Sequence, residues 1–399
     1  MRTIYILFSI IVVDLIFLLY GVNTLSISYK EALVFYNGDD FLHYLIKFSA
    51  IIFGQNDFAL RFPFILFHLL SIPLMFEISK FYLLRDEDRL ISVGTFVLLP
   101  GVVSSALLVN SASVVIFFTM LFVYLFLQKK VFLYSLILPL LIFVDNSFFI
   151  LYLGLIFYGL YEKNRYLITL SSTLFLLSLY IYGLDSIQHG KPRGYFLDTF
   201  GAYSLIFSPL IFLYFFYTMY QILVKGEKSV VWFISFLSLI VSILLSFRQR
   251  IIIEDFAPFV VISIPLMVQV FSKSYRTRLP ELRGFHRTFF IFIFSFLILN
   301  FFVTYFNQYF YRYLETPSKH FAYKYHIVKE LSQKLKEKNI KNIKCDDKSL
   351  ELRLKFYGVD KGNTFQLSLC DQNISNTQKV TLSYMNYPII CYSVSKVNK

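Results

Sequence analysis

The sequence predicts an α-helical polytopic membrane protein carrying a small C-terminal α/β or α+β domain outside the bilayer. Three observations predict it. The 399 residues are 57% hydrophobic and only 16% charged, whereas soluble domains run at about half apolar and a quarter charged. The apolar residues gather in tracts near the ~20 residues that cross a bilayer as a helix. Residues 307–399 break with that pattern and hold 16 Lys and Arg against 8 Asp and Glu. A mean hydropathy of +0.62 also excludes a disordered chain, which such apolar content cannot keep solvated. The excess of Phe (48) and Tyr (30) over a single Trp is broader than interfacial belts need, and reads as genome bias rather than a ligand cage.

Eleven apolar tracts lie between charged punctuation, at roughly 4–20, 58–84, 90–109, 114–128, 131–144, 147–161, 166–183, 202–224, 229–246, 256–272 and 288–306. The first follows Met1-Arg2-Thr3 like a signal peptide, but no small-residue cleavage site comes after it, so a retained span is expected. Tracts 131–144 and 147–161 are short, and form either two spans or one re-entrant pair around Asp145-Asn146. Segment 41–53, which carries Lys47, is too short to cross and is expected to lie along the interface. With the N-terminus inside, 15 of the 22 basic residues before position 307 fall on cytoplasmic segments, as the positive-inside rule requires. An odd number of spans then places the C-terminus outside. The expected division is a multi-span domain over 1–306 and an extracytoplasmic domain over 307–399.

In the second domain, Tyr323–Asn339 reads as an amphipathic helix, with Ile327, Leu331 and Leu335 four apart on one face. The runs Asn342–Cys345, Leu350–Tyr357, Thr364–Leu369, Val380–Tyr384 and Pro388–Val394 read as β-rich. All three cysteines, Cys345, Cys370 and Cys391, lie here, without a CxxC or a nearby His pair. That excludes a zinc ribbon, and no metal centre is expected. In an oxidising compartment two of them can pair; which two is open. The basic balance suits an anionic lipid surface, and nucleic acid is not an expected partner on this side of the membrane.

Because spans are fixed by apolarity, chemical information lies in the polar residues, which gather in outer loops. The first loop carries Ser28-Tyr29-Lys30-Glu31-Ala32 and Gly38-Asp39-Asp40. A second group, Phe53-Gly54-Gln55-Asn56-Asp57-Phe58-Ala59-Leu60-Arg61-Phe62-Pro63, leads into a span. Asn110–Ser113 follows, then His189–Tyr195 with Lys191 and Arg193, then Phe247-Arg248-Gln249-Arg250 with Glu254-Asp255 and Pro258. Carboxylates thus sit in early loops and guanidiniums in late ones. Arg and Lys suit phosphate oxygens, and a carboxylate deprotonates an acceptor hydroxyl or amine. Together they describe a site that holds a phosphorylated lipid and transfers its headgroup. Inside the spans Asp14 reads as a structural acid able to pair within the bundle, Glu77 as an i,i+3 partner of Lys80, and His68 as a hydrogen-bonded core residue. Of the histidines, His43 is the one close to the first-loop acids.

The Phe53–Pro63 phrase resembles the F-G-x-x-x-x-A-x-R-x-P segment of the integral-membrane GT-C glycosyltransferases, in the branch of aminoarabinose transferases and protein O-mannosyltransferases. Leu99-Pro100 and the stretch Arg248-Gln249-Arg250 with Pro258 and Pro265 are similar to further elements of that branch, and so is the layout of loops and terminal domain. The resemblance implies transfer of a sugar from a polyprenyl-phosphate-linked donor to a lipid, glycan or protein acceptor at the periplasmic face of a bacterial inner membrane. It implies phosphate-binding roles for Lys30, Arg61, Lys191, Arg193, Arg248 and Arg250, and supporting roles for Asp57 and Glu254. The branch's first loop carries an Asp-Glu pair whose Asp is the catalytic carboxylate. Here that pair is Lys30-Glu31, so Glu31, Asp39 or Asp40 is left as the base. A divalent metal held by Asp39, Asp40 and Glu31 is conceivable through oxygen ligation. Two alternatives stay open: a non-catalytic lipid-binding or assembly partner in the cell envelope, and a transporter or flippase, which the lack of internal repeats disfavours.

Overall fold

The computed structural model describes residues 2–183, 194–370, 378–384 and 387–396. All eleven apolar tracts are helical. Along the chain the α-helices are α1 (Arg2–Thr24), α2 (Tyr29–Asn37), α3 (Phe41–Phe53), α4 (Asp57–Ser79), α5 (Asp86–Leu98) and α6 (Pro100–Leu107). There follow α7 (Ala112–Leu127), α8 (Val131–Leu141), α9 (Phe149–Glu162), α10 (Arg165–Tyr182), α11 (Phe196–Phe207) and α12 (Pro209–Lys225). The remainder are α13 (Val230–Ser246), α14 (Ala257–Val261), α15 (Ile264–Thr277), α16 (Arg283–Tyr305), α17 (Val328–Glu337) and α18 (Lys348–Phe356).

Among the described residues, five helical stretches are long and apolar enough to cross a membrane, and two bent pairs raise that to seven. The tract 90–109 is one of the pairs, broken by 57° between α5 and α6. The break has a local cause. Pro100 has no N–H to continue the ladder and its ring drives Leu99 out of the helical region, to φ −64° and ψ 126°. The tract 202–224 likewise begins earlier than its apolarity suggests, at Phe196, and turns by 104° at Ser208-Pro209. Ser208 takes a positive φ of 66° there, and its hydroxyl accepts a hydrogen bond from the Asn300 amide at 2.9 Å.

The chain divides into two compact units, residues 1–16 with 64–301 and residues 17–63 with 302–399. The first is the helix bundle. In it α9 packs against α10 and α13, α5 against α15, and α7 against α8 and α14. Helix α13 presents Ser235, Ser238, Ser242 and Ser246, all fully buried, at helical spacing. Small residues let backbones approach closely, and their hydroxyls find acceptors in a medium without water. Ser235 and Ser238 donate to the carbonyls of Phe259 and Phe256 at 2.9 and 2.8 Å, and Tyr203 donates to Ser242 at 2.9 Å. Asp14 and His68, 1% and 2% exposed, meet at 2.8 Å, and the His68 ring stacks on Phe96. Both are therefore paired core residues. Glu77 and Lys80 form the i,i+3 pair.

The second unit combines α2 and α3 with the C-terminal segment. Helix α3 buries Ile46 and Ser49 while Tyr44, Phe48 and Ile51 face outward, the one-sided pattern expected of an interfacial segment. A five-stranded sheet runs in the order β2-β1-β3-β5-β4, from β1 (Asn342–Cys345), β2 (Asp360–Lys361), β3 (Phe365–Leu369), β4 (Gln378–Tyr384) and β5 (Tyr387–Lys396). β1 is parallel to β2 and β3, and β5 is antiparallel to β3 and β4. Ile327, Leu331 and Leu335 bury against it as their spacing requires. Leu350–Tyr357 is a correction: it forms α18, not a strand. Asp347 caps it by accepting from the Ser349 N–H at 2.8 Å, and Leu350 and Leu354, one helical turn apart, enter the core. Edge strand β4 is covered by lysines of and just beyond α17, Lys334 and Lys338, which donate to the carbonyls of Thr381 and Lys379 and so occupy groups that would otherwise template aggregation. Cys370 pairs with Cys391, leaving Cys345 as the free thiol.

Two expectations follow for stability. Asp14→Ala or His68→Ala leaves a buried polar partner unpaired, a loss of roughly 3–5 kcal/mol. Thermal melting in detergent should show each single variant destabilised, and Asp14→Leu with His68→Phe destabilised by less than the two singles together. In the second unit His320 and His326 sit buried among Tyr311 and Tyr384. Burial, and next the nearby His320, lower the His326 imidazole to about 4. The unfolded chain binds that proton more readily, so this stability is complete above about pH 6.5 and is lost as pH falls from there toward 4. Limited proteolysis of the C-terminal segment should accelerate across that window, and His326→Gln should flatten the profile.

Candidate functional site

The first loop is built around a buried arginine. Arg61, one turn into α4, is 0% exposed, and an unpaired charge so placed is prohibitively costly. Two carboxylates offset it: Glu31 Oε2 lies 3.8 Å from one terminal nitrogen, and Asp57 Oδ1 3.5 Å from the other. The same fork donates to the Ser26 carbonyl at 3.1 Å. Glu31 also completes a capping box at the start of α2, accepting from the Ser28 N–H at 2.7 Å while Ser28 Oγ accepts from the Glu31 N–H. Asp57 accepts from the Tyr357 hydroxyl at 2.6 Å and pairs with Lys329 at 2.9 Å. Burial and the Asp57 charge raise the Tyr357 phenol, which stays a donor.

These groups converge on one turn, Leu25–Ser28. Its Ser26 N–H donates to the Tyr325 carbonyl at 2.6 Å. Its Ile27 carbonyl accepts from Arg353 Nε at 2.9 Å, and its Ile27 N–H donates to the Tyr357 hydroxyl at 3.0 Å. The turn delivers Lys30, which is exposed. Asp39 is exposed too and has no partner among the described residues, while exposed Asp40 caps α3 by accepting from the His43 N–H at 3.2 Å. His43 Nδ1 is itself within 2.7 Å of the Val34 carbonyl. Among the described residues no three His, Cys, Asp or Glu side chains are grouped to hold a metal.

The late-loop candidates belong to the bundle unit. Arg248 and Glu254 are exposed; Lys191 and Arg193 lie outside the described residues. Arg250 lines a cavity of about 280 Å³ whose walls include Phe149, Phe175, Val241 and Leu245. Four more polar side chains line it: Asn146, Ser147, Gln249 and Asp255. Ser147 Oγ is buried without a partner, and Gln249, 7% exposed, has no side-chain partner among the described residues. The Ser147 hydroxyl so placed costs about 1–3 kcal/mol unless something satisfies it. Burial, then the negative charges of Asp145 and Glu254, raise the Asp255 carboxyl to about 7.

Sequence reasoning singled out Arg61, Asp57 and Arg250 and placed Gln249 and Asp255 in the same late polar group without a role, but did not reach Tyr357, Lys329, Arg353 or Ser147.

The fold defines the class: a polytopic α-helical membrane protein with a small C-terminal sheet. The structure of ArnT from Cupriavidus metallidurans bound to undecaprenyl phosphate is similar over 96% of this chain and 96% of that one, with a TM-score of 0.59 at 9% identity. ArnT from the same organism in the apo state matches over 69% of this chain and 60% of that chain, with 11% identity and a TM-score of 0.48. No protein-family model matches the chain, and no curated protein sequence matches it. The chain thus has an ArnT-like fold.

Arg61 sets a test for the first loop. Arg61→Ala buries Glu31 and Asp57 uncompensated, and Arg61→Lys keeps the charge but loses the fork that spans them and Ser26. Membrane abundance and protease resistance should fall in both, more steeply for Ala, by roughly 3–5 kcal/mol where the fold survives long enough to melt.

Proposed function

We propose that the chain is a polyprenyl-phosphate-dependent glycosyltransferase of the outer face of the inner membrane. The observation that carries the reading is the ArnT-like fold over nearly the full chain, in a relative whose structure holds undecaprenyl phosphate. The buried, unpartnered Ser147 Oγ in the cavity lined by Arg250 supports it, because a lipid phosphate oxygen accepts such a hydrogen bond. The Cys370–Cys391 disulfide supports a periplasmic C-terminal segment, an oxidising location, with the N-terminus cytoplasmic.

In the reaction a carboxylate removes the acceptor proton as the acceptor oxygen or nitrogen bonds to the anomeric carbon. The bond from that carbon to the phosphate oxygen breaks, and the polyprenyl phosphate leaves with the electron pair. Arg248 and Arg250 serve the phosphate, with Lys191 and Arg193 assigned the same role and Glu254 a supporting one. Glu31 is committed to its cap and to Arg61, which favours Asp39 or Asp40 as the base. The acceptor is a lipid, glycan or protein.

A second reading has its own observation. Lys30 stands where the resembling branch has its catalytic Asp, and the neighbouring Glu31 is structurally engaged; both suit a non-catalytic lipid-binding partner. Transfer assays in reconstituted vesicles separate the two. Arg248→Ala and Arg250→Ala should each lower product by about ten-fold or more with abundance unchanged, and Asp39→Asn with Asp40→Asn should abolish it. Full product in both arginine variants removes the donor-site assignment, and a cellular phenotype indifferent to the paired Asp changes favours the non-catalytic partner.

A further inference from the structure

We infer that the edge of α3 is a binding site for an anionic phospholipid, whose headgroup is held by the ammoniums of Lys47 and Lys355 over the aromatic pair Phe35-Tyr36. The site requires only that the chain spans a membrane, and is independent of sugar transfer.

Chain connectivity puts α3 at a membrane surface. Helices α1 and α4 are the first two long and apolar enough to cross, so α2 and α3 between them share one side of the bilayer. Phe53, at the end of α3, lies close in sequence to Asp57 at the start of α4. Tyr44, Phe48 and Ile51 form an outward stripe on α3, 65%, 64% and 82% exposed, with Lys47 at helical spacing along its margin. Lys47 is partly exposed and leans over α2, its Nζ 3.8 Å from the Phe35 ring centre and 5.5 Å from that of Tyr36. From the C-terminal segment Lys355, exposed on α18, places its Nζ 4.8 Å from the same Tyr36 ring. Phe356 packs edge-on against Phe35 at 5.2 Å. Gln55 donates to the Tyr36 hydroxyl at 3.3 Å and to the Phe356 carbonyl at 2.7 Å, which ties α2 to α18 beneath the two cations.

Two like charges drawn to one ring repel, and aromatic faces offset only part of that cost. Among the described residues neither lysine pairs with a carboxylate, and Glu351, one turn before Lys355 on α18, pairs with Lys361 at 3.0 Å instead. Asp360 acts on the Tyr36 phenol and stands in ion-pair contact with neither lysine. Burial, then the Lys355 charge, hold the pKa of the Lys47 ammonium below its ordinary value. An anion beside the pair relieves the repulsion that the fold leaves standing. The apolar stripe selects the source of that anion. Tyr44, Phe48 and Ile51 suit acyl chains, and a free phosphate ion gains nothing from them. A phospholipid of the leaflet on which α3 rests meets both needs, its phosphate at the lysines and its chains along the helix. Because Lys355 comes from α18, such a lipid also clamps the C-terminal segment to α2 and α3.

Hydrogen–deuterium exchange of the full-length protein in nanodiscs tests this, comparing phosphatidylcholine alone with an equal mixture of phosphatidylcholine and phosphatidylglycerol. Amides of α2 and α3 should exchange about ten-fold more slowly in the anionic mixture, the order of magnitude that two lysines near an anionic surface produce. Lys355→Gln should leave a contrast of about three-fold. Lys47→Gln with Lys355→Gln should abolish it, and Lys47→Arg with Lys355→Arg should keep it. The readout is the contrast between lipids, so a packing loss in Lys47→Gln, which speeds exchange in both nanodiscs, does not imitate the effect. Equal exchange of the wild-type protein in both nanodiscs, or an undiminished contrast in the double Gln variant, overturns the site. Equal slowing by millimolar inorganic phosphate in phosphatidylcholine alone overturns the lipid as its occupant.

Discussion

A guanidinium sealed from solvent organises the unit that carries the first loop. Arg61 cannot be buried alone, because removing its hydration without replacing it costs many times the net stability of a domain. Glu31 and Asp57 neutralise it, and its planar fork imposes directions on everything it touches. Through Ser26 it fixes the turn after α1; through Glu31 it fixes the start of α2; through Asp57 it draws in Lys329 and Tyr357 from nearly three hundred residues further along the chain. The C-terminal sheet domain and the first loop are consequently one folding unit. A Lys at this position would keep the charge and lose the geometry, since an ammonium is a point donor rather than a fork.

That dependence bears on chemistry. A carboxylate that caps a helix and pairs with a buried arginine is held still, with its lone pairs directed at partners. Such a group is well suited to position a loop and poorly suited to take a proton from an acceptor. Asp39 and Asp40 lie beyond the end of α2, exposed, where a carboxylate keeps access to solvent or ligand. The ion network, which includes Glu31 in the first turn of α2, and the exposed Asp39 and Asp40 thus lie at opposite ends of one nine-residue helix.

Much of this was legible in the sequence, for a definite reason. Apolar tracts become helices because a membrane leaves the backbone no other way to satisfy itself, and every tract did so. The kink at Leu99-Pro100 is a local steric event visible in two letters. The i, i+4 spacing of Ile327, Leu331 and Leu335 needed no tertiary knowledge. Leu350–Tyr357 was misread as β-rich because its hydrophobic residues suit either period over so short a run, and the deciding cap, Asp347, lies outside it. The partners of Arg61 were not legible at all. Tyr357 and Lys329 carry no mark distinguishing them from the other tyrosines and lysines of a chain rich in both. The same holds for Ser147, whose Oγ is buried without a partner, a property that exists only in three dimensions.

The two polar regions differ in a way that separates structure from function. Around Leu25–Ser28, donors and acceptors from distant segments meet, and what they build is a fixed loop. Around Arg250 the fold brings together amide, hydroxyl, carboxyl and guanidinium groups beside an apolar wall and leaves Ser147 Oγ buried without a partner. Evolution readily removes an unsatisfied buried group by a change to Ala or Val, which stabilises the fold. A buried hydroxyl such as Ser147 Oγ therefore costs stability unless a ligand or a water completes its hydrogen bonds.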